Sequence, residues 1–263
     1  MTAANRAQAG LASGSFFPDT MPLLSVPDDA ALHQLARGHH DARRDKDLLM
    51  TPLNMNGYTY LPDSKIALVV TFLEMTGAPA GLAAPKAPAG VSLERSQAAD
   101  LDGFLRLFRK VGEEWLWFSR LVMPREKLAA ILCEPSREVW IVRKDGVDAG
   151  LLELDFADPQ DVELSFFGLT RDVMGQGLGR WLMQEALWRA WSRPQTKRFF
   201  VHTCTGDSPV ALGFYQASGF RPYKRAIEVI DDPRLAGHLP ETAAPHVPVL
   251  GRLADRTDTG FSA

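Results

Sequence analysis

The stretch VMGQGLGRWLM, from Val173 to Met183, places glycines at positions 175, 177 and 179 just before an apolar helical pattern. Leu178, Leu182, Ala186 and Ala190 recur every four residues, which predicts a helix over residues 177–192. Glycine lets a ligand approach the backbone closely, and the first N–H groups of a helix have no acceptors within it. The stretch therefore predicts an anion-binding loop at a helix start.

The residues that surround the glycines distinguish this stretch from the known glycine-rich nucleotide-binding loops. A Walker A loop requires Gly-Lys-Ser/Thr, whereas Gly179 is followed by Arg180 and Trp181. A Rossmann fingerprint follows its strand directly and has a third glycine where this chain has Arg180, and here TRDVM separates the strand from the first glycine. Both nucleotide-binding loops are disfavoured, and a glycine-rich helix start without a ligand stays open as the alternative.

Strand patterns surround this loop. REVWIVRK (137–144), GLLELDF (150–156) and VELSFFGL (162–169) are separated by the turn sequences KDG and ADPQD, which predicts an antiparallel meander. RFFVHTC (198–204) and YKRAIEVI (223–230) are predicted as later strands. The meander precedes the glycine loop, with TRDVM between them.

Helix signals separate the other strands. VSLER (91–95) is a short strand, and Ser96 or Asp100 suits the N-cap of the helix that follows it. A second helix is predicted near residues 124–132. Ser208 suits the N-cap of a late helix, and Gly219 suits its left-handed end. The sum is an α/β (α+β) fold with a mixed, mostly antiparallel central sheet flanked by helices.

The N-terminal third divides into three parts. Residues 1–60 mix Pro, Gly, His and charge and are interpreted as an extension of uncertain order, with one weakly helical piece at 28–49. IALVVTFLEM (66–75) is a continuous apolar run typical of a strand covered on both faces. Residues 77–90 form a Pro/Ala/Gly linker, so the compact core is expected over 91–230. Residues 233–263 are interpreted as a loose tail.

VELSFFGL, GQGLG and VHTCTGDSPVALGFYQASGF together resemble the GNAT superfamily of acetyl-CoA-dependent N-acyltransferases. In that family a strand ends in a bulge, the next helix starts with [Q/R]xxGx[G/A], and a later helix ends in Tyr followed by Gly-Phe. The matching residues here are Gly177, Gly179, Tyr215, Gly219 and Phe220. The resemblance covers about residues 91–230. WLWFSRL (115–121) with VHTCT (201–205) resembles a bacterial subgroup whose acceptors are poorly defined.

The chain departs from the family pattern in three places. Met174 replaces the usual Gln or Arg, and Ser208 replaces an Asn often found at the start of the late helix. The family usually has two strands after that helix, whereas this chain has one. We expect the strand at 66–75 to fill the vacant place in the sheet. A copy from a second subunit would also fill it, so a homodimer is allowed.

The resemblance implies acetyl-CoA as cosubstrate. The sequence contains candidate binding groups for each part of the acetyl-CoA molecule. Backbone amides of the glycine loop suit the pyrophosphate, with Arg171 or Arg180 as countercharge. A strand end that splays at a bulge has unpaired backbone groups for the pantetheine amides and the thioester carbonyl. The cofactor-binding candidates are Phe167, Gly168, Leu169, Gly175, Gln176, Gly177, Leu178, Gly179, Arg180 and Ser208.

Catalytic candidates follow from acyl transfer to an amine, which needs a neutral nucleophile and a proton for the departing thiolate. Tyr215 resembles the family's acid by position, and a core tyrosine is the alternative. Glu163 and Glu153 are candidates for the base, and a solvent-facing Glu is the alternative for either. His202 and Cys204 share a face of one strand, and a covalent Cys mechanism is disfavoured because no third orienting group is evident.

The acceptor site is expected near the first two helices. Trp115, Trp117 and Arg120 combine aromatic faces with a cation, which suits a small molecule with an apolar part and a carboxylate. Core packing is the alternative for these aromatic residues.

Composition restricts the partners. The formal net charge is −3 and 46% of residues are hydrophobic, which disfavours nucleic acid or an anionic membrane as partner. No metal is expected, because Cys133 and Cys204 lie far apart outside any Cys/His cluster. The chain has no secretory signal pattern or membrane-length apolar run, so a cytoplasmic location is expected. The expected activity is acetyl transfer to a primary amine of a small molecule in a ternary complex. A non-catalytic CoA-binding regulatory or assembly module is the alternative.

Overall fold

The computed structural model describes residues 53–96 and 100–250 of the 263-residue chain. The strands in these residues are β1 Lys65–Met75, β2 Val91–Arg95, β3 Arg137–Lys144, β4 Val147–Asp155, β5 Asp161–Leu169, β6 Arg198–Cys204 and β7 Arg221–Asp231. The helices are α1 Leu101–Gly112, α2 Arg125–Cys133, α3 Leu178–Trp191 and α4 Ala211–Ala217. No described helix is both long and apolar enough to cross a membrane.

The described strands form one mixed sheet in the order β2-β3-β4-β5-β6-β1-β7. The predicted meander of β3, β4 and β5 is confirmed, and β5 pairs with β6 in parallel. β1 lies between β6 and β7 and is antiparallel to both, as the pairs Phe72↔His202 and Val69↔Ile227 show. The prediction that residues 66–75 complete the sheet is therefore confirmed.

Two apolar cores lie on opposite faces of the sheet, because successive strand residues point to opposite sides. Leu152 belongs to the core beneath α3 and α4, whereas its neighbour Leu151 belongs to the core beneath α1 and α2. The face covered by α3 and α4 holds the larger cluster, which includes Leu182 and Phe220. The face of α1 and α2 holds Phe108 and Phe166, whose rings meet edge to face at 5.0 Å.

Local signals explain two of the helix ends. The Asp100 carboxylate accepts the Gly103 N–H at 2.7 Å, so Asp100 is the N-cap of α1. At the end of α4, Gly219 has φ +101°, and the Phe220 N–H donates to the Tyr215 carbonyl at 3.1 Å. The predicted left-handed stop at Gly219 is confirmed, and it turns the buried Phe220 back onto the core.

The interpretation of the residues after 232 as a loose tail is wrong for residues 233–250. Arg234 is buried, pairs with buried Asp232 at 2.7 Å, and donates to the carbonyls of Ala243 and Val247 at 3.0 and 2.7 Å. Leu239 also packs in a cluster with Ile66 and Leu68 of β1. The weak apolar pattern concealed this order because a buried guanidinium, not a hydrophobic stripe, organises the segment. Residues 1–52, with the helical piece predicted at 28–49, and 251–263 lie outside the described residues.

Candidate active site

The sheet forks between β5 and β6. Their parallel pairing covers three positions and ends at Glu163↔Phe200, yet β5 continues to Leu169 and β6 to Cys204. The β4–β5 register shifts between Glu153/Leu154, which leaves Ser165 as the bulge residue. The predicted splay is thus present, and the β5 edge that faces β6 is unpaired beyond Glu163. Backbone groups on such an edge are able to bind an amide-bearing chain.

The end of β5 is fixed from its other side. Phe167, Gly168 and Leu169 pair with Leu152, Leu151 and Gly150 of β4. A methyl group at Gly168 would overlap Val111 of α1 and approach the Trp117 ring to 3.1 Å. Glycine is therefore required where α1 and Trp117 pack against the strand. This contact fixes the position of the C-terminal end of β5, which is called the β5 arm of the fork below.

The glycine loop follows β5 and ends where α3 begins. Gly175 and Gly177 have φ values of +76° and +82°, and a Cβ at either position would meet no atom within 4 Å. The N–H groups of residues 175–179 donate to no backbone carbonyl among the described residues, whereas the Arg180 N–H donates to Gly177. Residues 174–177 are exposed. The loop thus presents unpaired donors in open space, which fits a phosphate group.

Two arginines flank the loop, and the structure distinguishes them. Arg171 pairs with Glu114 at 2.7 Å. Arg180 is exposed and makes no ion pair with any described residue. Arg180 therefore has the available charge beside the free amides. Met174, which replaces the family's Gln or Arg, is 42% exposed.

Tyr215 lies on α4 against the β5 arm. Its side chain is buried, its ring meets the Phe167 ring edge to face at 6.3 Å, and its hydroxyl has no hydrogen-bond partner among the described residues. Burial raises the pKa of Tyr215, and the nearby charge of Asp207 raises it further. The phenol therefore retains its proton at neutral pH.

Asp207 was not identified from the sequence. Its carboxylate accepts from Thr203 Oγ1 at 2.7 Å, from the Cys204 N–H at 2.9 Å and from Trp117 Nε1 at 3.2 Å. The residue thus joins the end of β6 to the loop after α1. Its place directly after a strand, in the turn sequence GDSP, was the available signal.

The predicted cap at Ser208 is corrected. α4 begins at Ala211 with Val210 as its N-cap, and no side chain caps it. The Ser208 carbonyl accepts the Ala211 N–H at 2.9 Å. The carboxylate of the neighbouring Asp207 bonds to the end of β6 and to Trp117 and also makes no cap for the helix, which starts later than predicted.

Glu153 and Arg120 occupy the protein interior instead of a pocket. The Glu153 side chain is 0% exposed and accepts from Arg120 and Arg137, each at 2.6 Å. Arg137 also pairs with Asp155, and Arg120 is 4% exposed. Two guanidinium groups hold the Glu153 charge away from solvent, which argues against the predicted role as base. Arg120 is likewise committed to Glu153, so its predicted contact with an acceptor carboxylate is not supported.

The two tryptophans have different neighbours. Trp117 packs against both Phe108 and Phe166, with ring centroids at 5.7 and 5.1 Å. The Trp115 ring lies 5.9 Å from the His246 ring, on the side of the C-terminal segment. The structure therefore does not bring Trp115, Trp117 and Arg120 together as one acceptor wall.

Glu163 and His202 meet at the fork. Glu163 Oε1 lies 3.4 Å from His202 Nδ1, and the side chains are 17% and 15% exposed. Burial lowers the pKa of His202, but the hydrogen bond with Glu163 and the charges of Glu163, Asp207 and Glu228 outweigh it and raise that pKa above its ordinary value. The predicted candidate Glu163 is thus at the fork, with a titratable partner.

Comparison with known proteins agrees with this geometry. Residues 105–220 match the model of the Acetyltransferase (GNAT) family. The matched residues, which make up less than half of the chain, are thus similar to GNAT acetyltransferase domains. No curated protein matches the sequence significantly.

Several solved structures are similar to part of this chain. A GCN5-related N-acetyltransferase from Kribbella flavida is 19% identical, with a TM-score of 0.43 over 66% of this chain and 63% of that one. The chain therefore spans less than two thirds of that relative. One from Sphaerobacter thermophilus is 14% identical, at 0.42 over 63% and 51%. An acetyltransferase from Thermus thermophilus is 22% identical, at 0.39 over 53% and 97%. At these TM-scores the likenesses support no conclusion about activity.

Proposed function

We propose that this chain transfers an acetyl group from acetyl-CoA to a primary amine of a small molecule, by direct attack in a ternary complex. The observation that carries the proposal is the continuity of the site. The unpaired arm of β5 leads through one short loop into five unpaired amides at the start of α3. Tyr215 lies against the same arm. A binding surface for a long amide-bearing phosphate ester thus runs beside a proton donor.

Each part of the cosubstrate has candidate partners. The amides of residues 175–179 and the Arg180 guanidinium would hold the pyrophosphate, because they are the unpaired donors and the available cation that the described residues offer beside the loop. The open edge of Phe167, Gly168 and Leu169 would pair with the pantetheine amides. Bound acetyl-CoA supplies the acetyl group as a thioester, whose sulfur departs as a thiolate. Ser208 remains a candidate contact without a capping role.

The proton roles follow from burial and position. Tyr215 would give its phenolic proton to the departing sulfur, because the phenol is protonated at neutral pH, lies against the β5 end and has no described residue bound to its hydroxyl. Glu163 would act on the amine side, since it faces the fork and remains partly exposed. Glu153 has no place in this scheme, because Arg120 and Arg137 enclose its carboxylate.

A compact acceptor fits the surroundings of the fork. The Phe118 ring stacks on the His238 ring at 6.2 Å, and His246 Nε2 contacts the Gly206 carbonyl at 3.1 Å. The C-terminal segment, residues 233–250, thus contacts both the loop after α1 and the turn before Asp207. These contacts place the C-terminal segment beside the turn that carries Asp207, and we infer that it narrows the acceptor side of the fork and favours a small molecule over a protein lysine.

Direct attack leads to a prediction for Cys204. Burial raises the pKa of its thiol to about 12, so a thiolate nucleophile is essentially absent at neutral pH. We expect Cys204→Ala to release thiol from acetyl-CoA within about threefold of the wild-type rate, because no bond to this sulfur forms. The measurement is free thiol in the presence of an accepted amine. A loss of turnover with acetyl-CoA binding retained would instead indicate a covalent step.

The proposal is tested in two stages on the full chain. Isothermal titration calorimetry with CoA tests the binding surface, and free thiol released with a panel of small amines and a lysine peptide tests transfer. We expect binding, and turnover with at least one small amine. Binding without turnover across the panel would favour a non-catalytic CoA-binding module. Absence of binding would refute both functions.

A further inference from the structure

We propose that His202 is the proton acceptor for the amine, with Glu163 and the N-terminal strand β1 as the groups that hold its ring. The inference rests on the proposed acetyl transfer and assigns its base. His202 lies in the part of β6 that no longer pairs with β5. Its neighbours come from three strands that are distant in sequence.

The fork places the pair at the divergence of the two strands. Glu163 is the last residue of β5 that pairs with β6, and His202 lies two residues beyond its partner Phe200. The strands separate at this point, and the Glu163 carboxylate spans the gap to His202 Nδ1 at 3.4 Å. With Nδ1 donating to the carboxylate, Nε2 has the free lone pair. A carboxylate that fixes the tautomer of an imidazole base is a recurring catalytic arrangement.

Strand β1 supplies the second support. Phe72 is the register partner of His202, and their rings lie 5.7 Å apart. On the far side of Phe72, its β7 partner Lys224 places Nζ 5.7 Å from the phenyl centroid. The strand that completes the sheet thus contributes to the site as well as to the core.

Acidic groups dominate the surroundings of His202. Glu163 contacts it from β5, and the negative charges of Asp207 in the turn after β6 and of Glu228 on β7 also act on it, whereas Lys224 is the cation beyond Phe72. This excess of negative charge favours a cationic ligand. An alkylammonium acceptor, which is the predominant form of a primary amine at neutral pH, satisfies that condition.

The proton step balances without another reactant. His202 Nε2 takes one proton from the ammonium group, which breaks an N–H bond and frees the nitrogen lone pair. That lone pair forms the new bond to the acyl carbon while the carbon–sulfur bond breaks. Tyr215 protonates the sulfur, and the second proton lost from nitrogen restores Tyr215 through solvent. The imidazolium returns its proton to solvent, so one proton is released for each ammonium consumed.

The test uses the full chain with three variants and an amine that the wild type accepts. We expect His202→Gln to lower kcat by about 100-fold or more, the usual contribution of a general base, with CoA affinity unchanged. Glu163→Gln should move the acidic limb of the kcat/KM profile to lower pH, because loss of the carboxylate lowers the pKa of His202. Cys204→Ala, on the same face of β6, controls for local disturbance of the strand.

Two results separate this inference from the broader function. Histidine NMR signals, with His202 assigned by their loss in His202→Gln, should titrate at lower pH in Glu163→Gln. Near-wild-type turnover of His202→Gln, or an unmoved acidic limb in Glu163→Gln, would overturn the assignment of the base while acetyl transfer stands. A wild-type chain that turns over no amine in the panel would overturn both.

Discussion

Replacing Tyr215 with Phe lowers turnover by about 100-fold or more while acetyl-CoA affinity stays nearly constant, because general acid catalysis contributes about that factor. Phe retains the ring that packs against Phe167, Phe214 and Phe220. The lost hydroxyl has no hydrogen-bond partner among the described residues, so no buried group is left unpaired by the substitution. The measurements are thiol release under saturating conditions and calorimetric binding of CoA.

Two controls make the Tyr215 result decisive. Tyr60→Phe removes an equivalent hydroxyl from an exposed ring and should change neither turnover nor binding. The thermal midpoint of Tyr215→Phe should remain near that of the wild type, which separates lost chemistry from lost structure. If Tyr215→Phe releases thiol as fast as the wild type, the sulfur takes its proton elsewhere and the acid assignment is incorrect.

Most strands and helices could be predicted from the sequence, because hydrophobic alternation and turn residues report on the local backbone conformation. β3 and β6 begin and end at the predicted residues, and α3 differs from its prediction by one residue at each end. The run at 66–75 was identified as a strand covered on both faces, and β1 indeed lies inside the sheet. Its position between β6 and β7 followed from the family resemblance, since no local signal specifies a strand's neighbours.

The buried ion pairs could not be predicted from the sequence. Glu153 stands in a strand with the spacing of an exposed residue, and only the return of the chain after α1 places Arg120 over it, 33 residues away in sequence. The Arg234 contacts in the C-terminal segment have the same origin, because carbonyl partners leave no pattern of residue types. Buried ion pairs depend on tertiary approach, whereas periodicity reports only which face a residue occupies.

Only part of the candidate site could be predicted from the sequence. The glycine loop follows from residue type, because only glycine adopts positive φ readily and leaves the space beside the backbone open. The contact of Glu163 with His202 depends on the parallel register of β5 and β6, which is fixed by the crossover through α3. Residue types on each strand do not specify that register. His202 therefore appeared only as a residue on one strand face until the strands were paired.

We expect replacing Gly177 with Val to weaken CoA binding by roughly 10- to 100-fold, because the added side chain keeps the phosphate from a loop amide. A hydrogen bond from an amide to a charged phosphate contributes about 1.5–3 kcal/mol. The side chain would occupy open space, so it clashes with no protein atom within 4 Å. It does impose strain, because φ is +82° at this position. Calorimetry with CoA measures the affinity, and thermal unfolding measures the strain.

Gly81→Val is the matched control for that strain. Gly81 lies in the linker before β2, has φ +72°, and also has no atom within 4 Å of an added Cβ. We expect the two variants to lose similar stability, because each places a β-branched residue in a left-handed conformation. Only Gly177→Val should lose CoA affinity. Equal affinities in the two variants would show that the loop before α3 does not hold the pyrophosphate, because backbone strain alone would then account for every effect of the substitution.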